Sequence, residues 1–529
     1  MNVVTYLIEE LRSQGVNKIF LTYGSHIDPF VCALMNNNKI LPIGCAHEAG
    51  AGFMAVGYGL ANNCVGVAVS IGGPGLANML PSLLSAKHDE RPLLVITGDV
   101  ATTHHQLPAF QNAGGNFMAD LTLTQLFCKS ATRINKPEEL PKVLAESLAL
   151  AQTLPCGPVH IQIPNDLFNQ PISTTKQELS VNTCKAKCRL DKSFEDVARL
   201  LEHAEAPLIY LGGRVSHWLD NKQLQTWLQQ MQVPVISTIY ARGFLPEDSP
   251  VFIGSAGFAG TTHGNAALLH EQCDTLIIIG ADLSERNFLN WHAAIFVAKR
   301  QIVLIDDKYD QAIVNRYPNM SSLPFPSGLT PPRKITKQFK QKRKMWLNAL
   351  QNDFVSHHYL AKIQEFVGTT TQLFVDAGSA KALATKHWQA NQANSIVMSE
   401  NTGGMGWAMC AAIGAAMNKD EKPVIALVGD GSTRMLGMEL STAAQYNSPV
   451  LFLINNNKQQ KSVYDRMENT TTRKKLNETH PDISWTMLAN SLNIEAANVS
   501  SISALMSVIE DIWPISKPFL IDITMPEDE

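Results

Sequence analysis

Val424-Ile425-Ala426-Leu427-Val428-Gly429-Asp430-Gly431-Ser432 is an apolar run that ends in an acid between two glycines. A helix-length segment follows through Tyr446, then a second apolar run from Pro449 to Ile454, then Asn455-Asn456-Asn457. Strand, turn, helix and strand in that order make a parallel unit, and ligands collect at the carboxyl ends of such strands. Asp430 stands at one such end, and its flanking glycines let backbone approach an anion where the next helix starts. Asn457 follows Asp430 by 27 residues, one strand-helix-strand repeat, so the spacing sets the two side by side. One carboxylate, one amide oxygen, a backbone carbonyl and the oxygens of a diphosphate make a hard octahedral shell suited to Mg²⁺. Each half alone reads as an ordinary turn; the chemistry rests on the pair.

The same alternation of short apolar runs and amphipathic helix-length stretches extends outward over the 529 residues, which at about 150 residues per domain suggests three or four domains. It predicts an α/β protein of three doubly wound parallel-sheet domains. The first domain, 1–168, offers Lys18–Tyr23, Gly66–Ser70, Pro92–Thr97 and Pro158–Ile163 as strands and Glu48–Asn62 as a helix. Polar residues from Gln170 to Ser193 form a linker. The central domain, 190–323, offers Pro207–Leu211, Pro234–Ile239, Thr275–Gly280 and Gln301–Ile305. Pro324, Pro326, Pro331 and Pro332 then break regular structure, and Arg333–Lys344 packs seven basic residues into twelve positions, read as a solvated helix face. The third domain, 353–529, offers Gln372–Asp376, Pro423–Val428, Pro449–Ile454 and Pro518–Ile523.

Hydrophobic residues at 45% and charged residues at 17% are globular proportions, and a net charge of −4 provides no basic excess for nucleic acid or an anionic membrane. No apolar run reaches the roughly 18–20 residues that span a bilayer, and Glu9, Glu10 and Arg12 in the first helix are at odds with a signal peptide. A cytoplasmic protein acting on a small molecule is expected. The nine cysteines are scattered, and Cys184 with Cys188 lacks a second pair for zinc, so they read as reduced thiols.

Asp430-Gly431 followed by Asn456-Asn457 resembles the thiamine diphosphate motif, and the resemblance extends over nearly the whole chain to the superfamily of acetolactate synthase, benzoylformate decarboxylase and pyruvate decarboxylase. Overall it is nearest to acetolactate synthase-like proteins. Ala46-His47-Glu48-Ala49-Gly50-Ala51-Gly52-Phe53-Met54-Ala55 is similar to the family's activating-glutamate segment. Gly73-Pro74-Gly75 with Asn78, Thr97-Gly98-Asp99-Val100, Phe110-Gln111, Gly157-Pro158-Val159, Ile163-Pro164, Gly403-Gly404-Met405-Gly406 and Ala411-Ala412-Ile413-Gly414 follow the family's order.

The resemblance implies roles. Glu48 hydrogen-bonds the aminopyrimidine ring of a cofactor held by a partner chain, so a homodimer or homotetramer with active sites between subunits is expected. Met405 wedges the cofactor into its bent form, and the backbone of Gly403 meets its amino group. Gly378, Ser379, Gly431 and Ser432 contact the diphosphate, Asn78 belongs to the cofactor site, and Asp430, Asn457 and the carbonyl of Gln459 bind Mg²⁺. The cofactor implies decarboxylation of a 2-oxo acid, followed by ligation to a second carbonyl or by release of an aldehyde.

Which of these follows is contested within the sequence. Thr97–Asn112, Gly254–Thr261 and Cys273–Arg286 resemble acetolactate synthases, which ligate; Gly24-Ser25-His26 and Thr442–Asn447 resemble benzoylformate decarboxylase. His26 is a candidate acid or base near neutral pH. Ser25, His26 and Gln111 are assigned to the substrate pocket, and Lys461 and Ser462 replace an apolar stretch of the relatives, offering donors to an anionic or hydroxylated acceptor. His104-His105 follows acetolactate synthase spacing. Gly254, Gly257 and Gly260 with Arg286 leave FAD open, since GxxGxxG alone is weak evidence. Carboligation leads, with non-oxidative decarboxylation and a catalytically silent binding subunit as the other readings.

Overall fold

All twelve strand candidates form parallel strands, and each block of four becomes a sheet of six. The computed structural model describes residues 1–112, 119–172, 197, 200–201, 203–215, 221–306, 311–323, 337–350, 356–418, 422–459, 461–464, 466–467, 470–478 and 481–525. Most of the Gln170–Ser193 linker, the four prolines from Pro324 to Pro332, and Cys184 with Cys188 lie outside these residues.

The first sheet comprises β1 (Lys18–Leu21), β2 (Leu41–Gly44), β3 (Gly66–Ile71), β4 (Leu93–Asp99), β5 (Ala131–Arg133) and β6 (Pro158–Pro164), in the order β2-β1-β3-β4-β6-β5. The second comprises β7 (Pro207–Leu211), β8 (Val235–Ser237), β9 (Phe252–Ser255), β10 (Thr275–Ile279), β11 (Gln301–Ile305) and β12 (Met320–Leu323), in the order β12-β11-β10-β7-β8-β9. The third comprises β13 (Gln372–Val375), β14 (Ile396–Met398), β15 (Val424–Gly429), β16 (Val450–Asn455), β17 (Glu495–Val499) and β18 (Phe519–Ile523), in the order β14-β13-β15-β16-β18-β17. The first and third sheets therefore share one topology. Their strand order reverses between the first and third strands of each, at β1/β3 and at β13/β15, and the second sheet reverses at β7/β10. Loops diverge at such points and leave a crevice at the carboxyl ends.

Central strands are mostly apolar and buried because helices cover both faces, though β4 and β6 also bury Thr97, Asp99, His160 and Gln162. β4 and β6 are buried along their whole length, and β15 and β16 pair in register from Val424↔Val450 to Gly429↔Asn455. The chain forms two compact units: one carries the first sheet, β13 from Leu373 and β15–β18, and the other carries the second sheet and β14. Within the first unit, the helix Glu48–Asn62 packs against the helix Trp407–Ala416 by backbone approach. A Cβ on Gly57 would lie 1.9 Å from the Ala411 carbonyl oxygen, and one on Gly414 2.0 Å from that of Met54.

The basic run departs from expectation. Its part within the helix Lys337–Leu350 exposes Lys342 and Lys344, but Arg343 is 1% exposed and donates to the Met231 and Leu201 carbonyl oxygens at 2.7 Å each. A guanidinium is tolerated in the interior there because it donates to these two backbone carbonyl oxygens. The seven described cysteines are free thiols, and no described helix is long and apolar enough to cross a membrane.

Candidate active site

At the third sheet's reversal, β15 ends at Gly429 and Asp430 opens the helix Asp430–Leu436. Asp430 is 3% exposed, and its Oδ1 accepts from Gly431 N at 2.9 Å. The three asparagines that follow β16 divide their work. Asn455 ends the strand, Asn456 donates to Asp522 Oδ1 at 2.9 Å, and Asn457 Oδ1 accepts from Gln459 N at 3.2 Å. Lys458 takes a left-handed φ of 56°, which folds the chain back after Asn457. Ser462, assigned to the substrate pocket by sequence, lies against Gly378: its Oγ is 4.0 Å from the position of a Cβ there. Lys461 starts the same short helix, Lys461–Tyr464.

The turn from Gly403 to Gly406 precedes the helix that starts at Trp407, and both glycines have positive φ, 57° and 85°. Met405 is half-buried within it. Asp376, just past β13, holds this turn: its carboxylate accepts from Ala377 N at 2.8 Å, Gly406 N at 3.1 Å and Ala408 N at 2.9 Å. Burial pushes its carboxyl up, and the Ser432 hydroxyl and these amides hold it down. Ser432 thus lends its hydroxyl to Asp376.

These residues fit thiamine diphosphate and Mg²⁺. Around Gly403 and Gly429 a Cβ would meet nothing within 4 Å, and Gly378 meets only Ser462 at 4.0 Å, so three glycines face open space at one sheet edge. Among the described residues no cluster of three His, Cys, Asp or Glu can hold a metal. A cation here needs amide, carbonyl and diphosphate oxygens beside Asp430, as a hard ion prefers.

At the first sheet's reversal, β2 leads through Ala46-His47 into the Glu48–Asn62 helix, with His47 Nδ1 capping Ala49 N at 3.0 Å. The Glu48 carboxylate accepts from the Thr22 hydroxyl at 3.2 Å and from Asn78 Nδ2 at 3.1 Å. Asn78 was assigned from sequence; Thr22, just past β1, was not, since nothing local distinguishes it. Ser25 and His26 follow in a single turn. His26 is 8% exposed with Nδ1 buried and without a hydrogen-bond partner; burial lowers its pKa, while Asp120 and Asp28 raise it. Asp120 Oδ2 accepts from Gly73 N at 2.9 Å and Gln162 Nε2 at 3.1 Å. A Cβ on Gly73 would lie 2.9 Å from the carbonyl oxygen of Gln111, whose own φ is 60°. His26, Gly73, Gln111 and Asp120 therefore gather at one edge.

His104 is exposed, and His105 belongs to an ion-paired anchor. Arg133 donates to His105 Nδ1 at 2.8 Å and pairs with Asp99 at 2.8 Å. Burial, then Arg133, push His105 down to about 4, so it stays neutral. The central-domain glycines behave differently from those of the third sheet. Cβ atoms on Gly254, Gly257 and Gly260 would meet Thr261 Oγ1 at 2.3 Å, Arg286 O at 3.0 Å and Ser255 O at 2.6 Å, and Arg286 stacks on Phe258. At the β7/β10 reversal Gly212 abuts Ala281, where a Cβ would lie 2.1 Å from its Cα. Close packing accounts for the lack of a side chain at each of these glycines.

Two sheets of one topology with polar clusters at their reversals, one around a carboxylate and one around an Asp-Gly turn, define a cofactor-dependent α/β enzyme. The chain matches the N-terminal TPP binding domain of thiamine pyrophosphate enzymes over residues 1–119, their central domain over 194–324 and their C-terminal TPP binding domain over 376–523, and it belongs to that family. It is 27% identical to a probable acetolactate synthase large subunit of Methanocaldococcus jannaschii, covering 99% of this chain and 92% of that protein. Identity to the acetolactate synthase isozyme 2 large subunit of Escherichia coli K12 is 26%, covering 100% and 96%. In fold it is similar to a putative thiamin diphosphate-dependent enzyme from Mycobacterium smegmatis, with TM-score 0.78, 18% identity and coverage of 99% and 100%. A Rhodococcus jostii RHA1 thiamine diphosphate-dependent 4-hydroxybenzoylformate decarboxylase superposes with TM-score 0.76 at 19% identity, covering all of both chains.

Proposed function

We propose that the protein is a cytoplasmic, thiamine diphosphate- and Mg²⁺-dependent carboligase that decarboxylates a 2-oxo acid and joins the remainder to a second carbonyl. The observation that carries this is Glu48, held by Thr22 and Asn78 at the first sheet's reversal, in a chain whose third sheet carries Asp430 and Asn457 at the matching place. Asp430, Asn457 and the Gln459 carbonyl would hold Mg²⁺ and through it the diphosphate; Gly378, Ser379 and Gly431 would meet the phosphate oxygens with backbone. Met405 would pack against the cofactor between its rings. When bound, thiamine diphosphate supplies a carbon nucleophile and an electron sink for the loss of CO₂. Glu48 holds a proton opposite a ring nitrogen, and Thr22 and Asn78 orient its two oxygens for that exchange. The sites form between two chains, Glu48 serving the cofactor on its partner.

Similarity to acetolactate synthase large subunits along the whole chain favours ligation over simple decarboxylation. The second reading, a non-oxidative 2-oxo acid decarboxylase, draws on His26, a buried imidazole with an unpartnered nitrogen beside Ser25. The presence of both Glu48 and the residues Asp430 and Asn457 argues against a silent binding subunit. Purified protein with thiamine diphosphate, Mg²⁺ and a panel of 2-oxo acids, alone and paired with aldehyde or oxo-acid acceptors, is followed by proton NMR with Glu48→Ala as control. A hydroxy-ketone product that vanishes in the control supports the carboligase; free aldehyde as the main product overturns it in favour of the decarboxylase.

A further inference from the structure

Ala46 and His47 lead into the Glu48–Asn62 helix, and the start of a helix leaves backbone N–H groups without intrahelical partners. One carboxylate takes both of the N–H groups here. Glu439 accepts from Ala46 N at 3.1 Å through Oε2 and from His47 N at 2.9 Å through Oε1. The Thr442 hydroxyl donates to Oε2 at 2.7 Å. Glu439 is 0% exposed, and a Cβ on Gly50 would lie 1.9 Å from its Oε1, so the missing side chain at Gly50 is what admits the carboxylate. Farther back, Gly44 N donates to the Tyr446 hydroxyl at 2.8 Å. Glu439, Thr442 and Tyr446 all follow Asp430 on the continuous stretch from Asp430 to Tyr446. That stretch serves the third sheet's site at its start and grips the chain before Glu48 at its end.

We infer that Glu439, with Tyr446 beside it, is a positioning residue that sets the turn Ala46-His47 and so the place of the Glu48 carboxylate. The inference rests on the role proposed for Glu48 above. A shift of about 1 Å at a reacting group costs on the order of 100-fold in rate, so a turn held by two charge-assisted hydrogen bonds bears directly on turnover. Glutamine at 439 keeps the shape but replaces one acceptor oxygen by an NH₂, which then faces an N–H. Both amides can no longer be satisfied at once.

Backbone-amide hydrogen exchange is measured on the cofactor-free full-length protein, in wild type and Glu439→Gln, together with kcat and the KM for thiamine diphosphate. Exchange over residues 44–48 accelerates by about 10–100-fold in the variant, while β4, β6, β15 and β16 keep wild-type protection. The kcat falls at least about tenfold and the cofactor KM stays within about threefold. Tyr446→Phe, which removes the acceptor for Gly44 and the hydroxyl's contacts with Pro42 and Tyr23 but leaves Glu439 in place, moves the same readings by less. Unchanged exchange over 44–48, a wild-type kcat, or a KM that rises together with loss of protection across the whole first sheet overturns the inference. If Glu439→Gln does not fold, Tyr446→Phe and Thr442→Val decide: faster exchange over 44–48 together with a lower kcat supports the inference, and wild-type values of either overturn it. A wild type inactive on the whole substrate panel overturns the proposed function instead, and the exchange data still decide whether the clamp exists.

Discussion

At the scale of single residues, Asp430 and Asn457 were singled out by their spacing at the ends of two apolar runs, and Glu48 and Met405 by the resemblance that their short local motifs carry. Thr22, Asp120, Asp376 and Glu439 were not, since each acts on backbone or a carboxylate from elsewhere in the chain: Thr22 lies 26 residues from Glu48, and Glu439 lies 392 from His47. Their work follows from the geometry. Thr22→Val and Asn78→Ala each remove one donor from the Glu48 carboxylate, and each is expected to lower kcat about tenfold, read from steady-state rates at saturating cofactor. His160 predicts a pH effect. Its ring nitrogens lie 2.8 Å from the Thr97 hydroxyl and 2.9 Å from that of Thr124, and burial lowers its pKa from 6.5 to about 3. The unfolded chain therefore takes up a proton below about pH 6.5 that the folded chain refuses until about pH 3, so this stabilisation is complete above 6.5 and lost as pH falls. Asp99, Asp120, Asp376 and Glu439, all raised by burial, act in the opposite sense and are common to wild type and variant. The melting temperature of His160→Gln, scanned from about pH 7 to pH 4, falls less steeply than that of wild type.

At the scale of elements, the strands read correctly from sequence are the four inner strands of each sheet, and the strands missed are β2, β5, β9, β12, β14 and β17, the edges of the three sheets. The reason is physical. An inner strand of a parallel sheet is covered on both faces and shows as an unbroken apolar run, whereas an edge strand is short or partly wet, as in the half-exposed Glu495–Val499. The Glu48–Asn62 helix was delimited from sequence alone, but not what its glycines do. Gly57 and Gly414 let two helices meet backbone to backbone. An alanine at an unhindered helical glycine stabilises by about 0.5–1 kcal/mol. At Gly414 the sign reverses: Gly414→Ala lowers the unfolding free energy by about 1–3 kcal/mol, measured by urea denaturation.

At the scale of the whole molecule, the proposed site draws Glu48 from one chain and Asp430 from another, and the consequence is countable. Glu48→Ala and Asp430→Ala chains are each inactive alone; unfolded together, refolded and assayed, a 1:1 mixture of dimers regains about one quarter of wild-type activity, because half the dimers are mixed and one of their two sites is whole. No recovery places both residues of a site on one chain. Sequence by itself determined the three-sheet architecture and set Asp430 and Asn457 one strand-helix-strand repeat apart, because apolar periodicity and spacing are local properties of a chain; the role of Glu48 came from the resemblance its segment carries. Tertiary structure alone decided that Asp376 braces the Met405 turn, that Glu439 braces the turn before Glu48, that Ser462 faces Gly378, and that the central-domain glycines are filled by packing. Those are relations between segments far apart in sequence, and a hydrogen bond or a close backbone approach depends on where the folded chain brings two groups together, which no local pattern encodes.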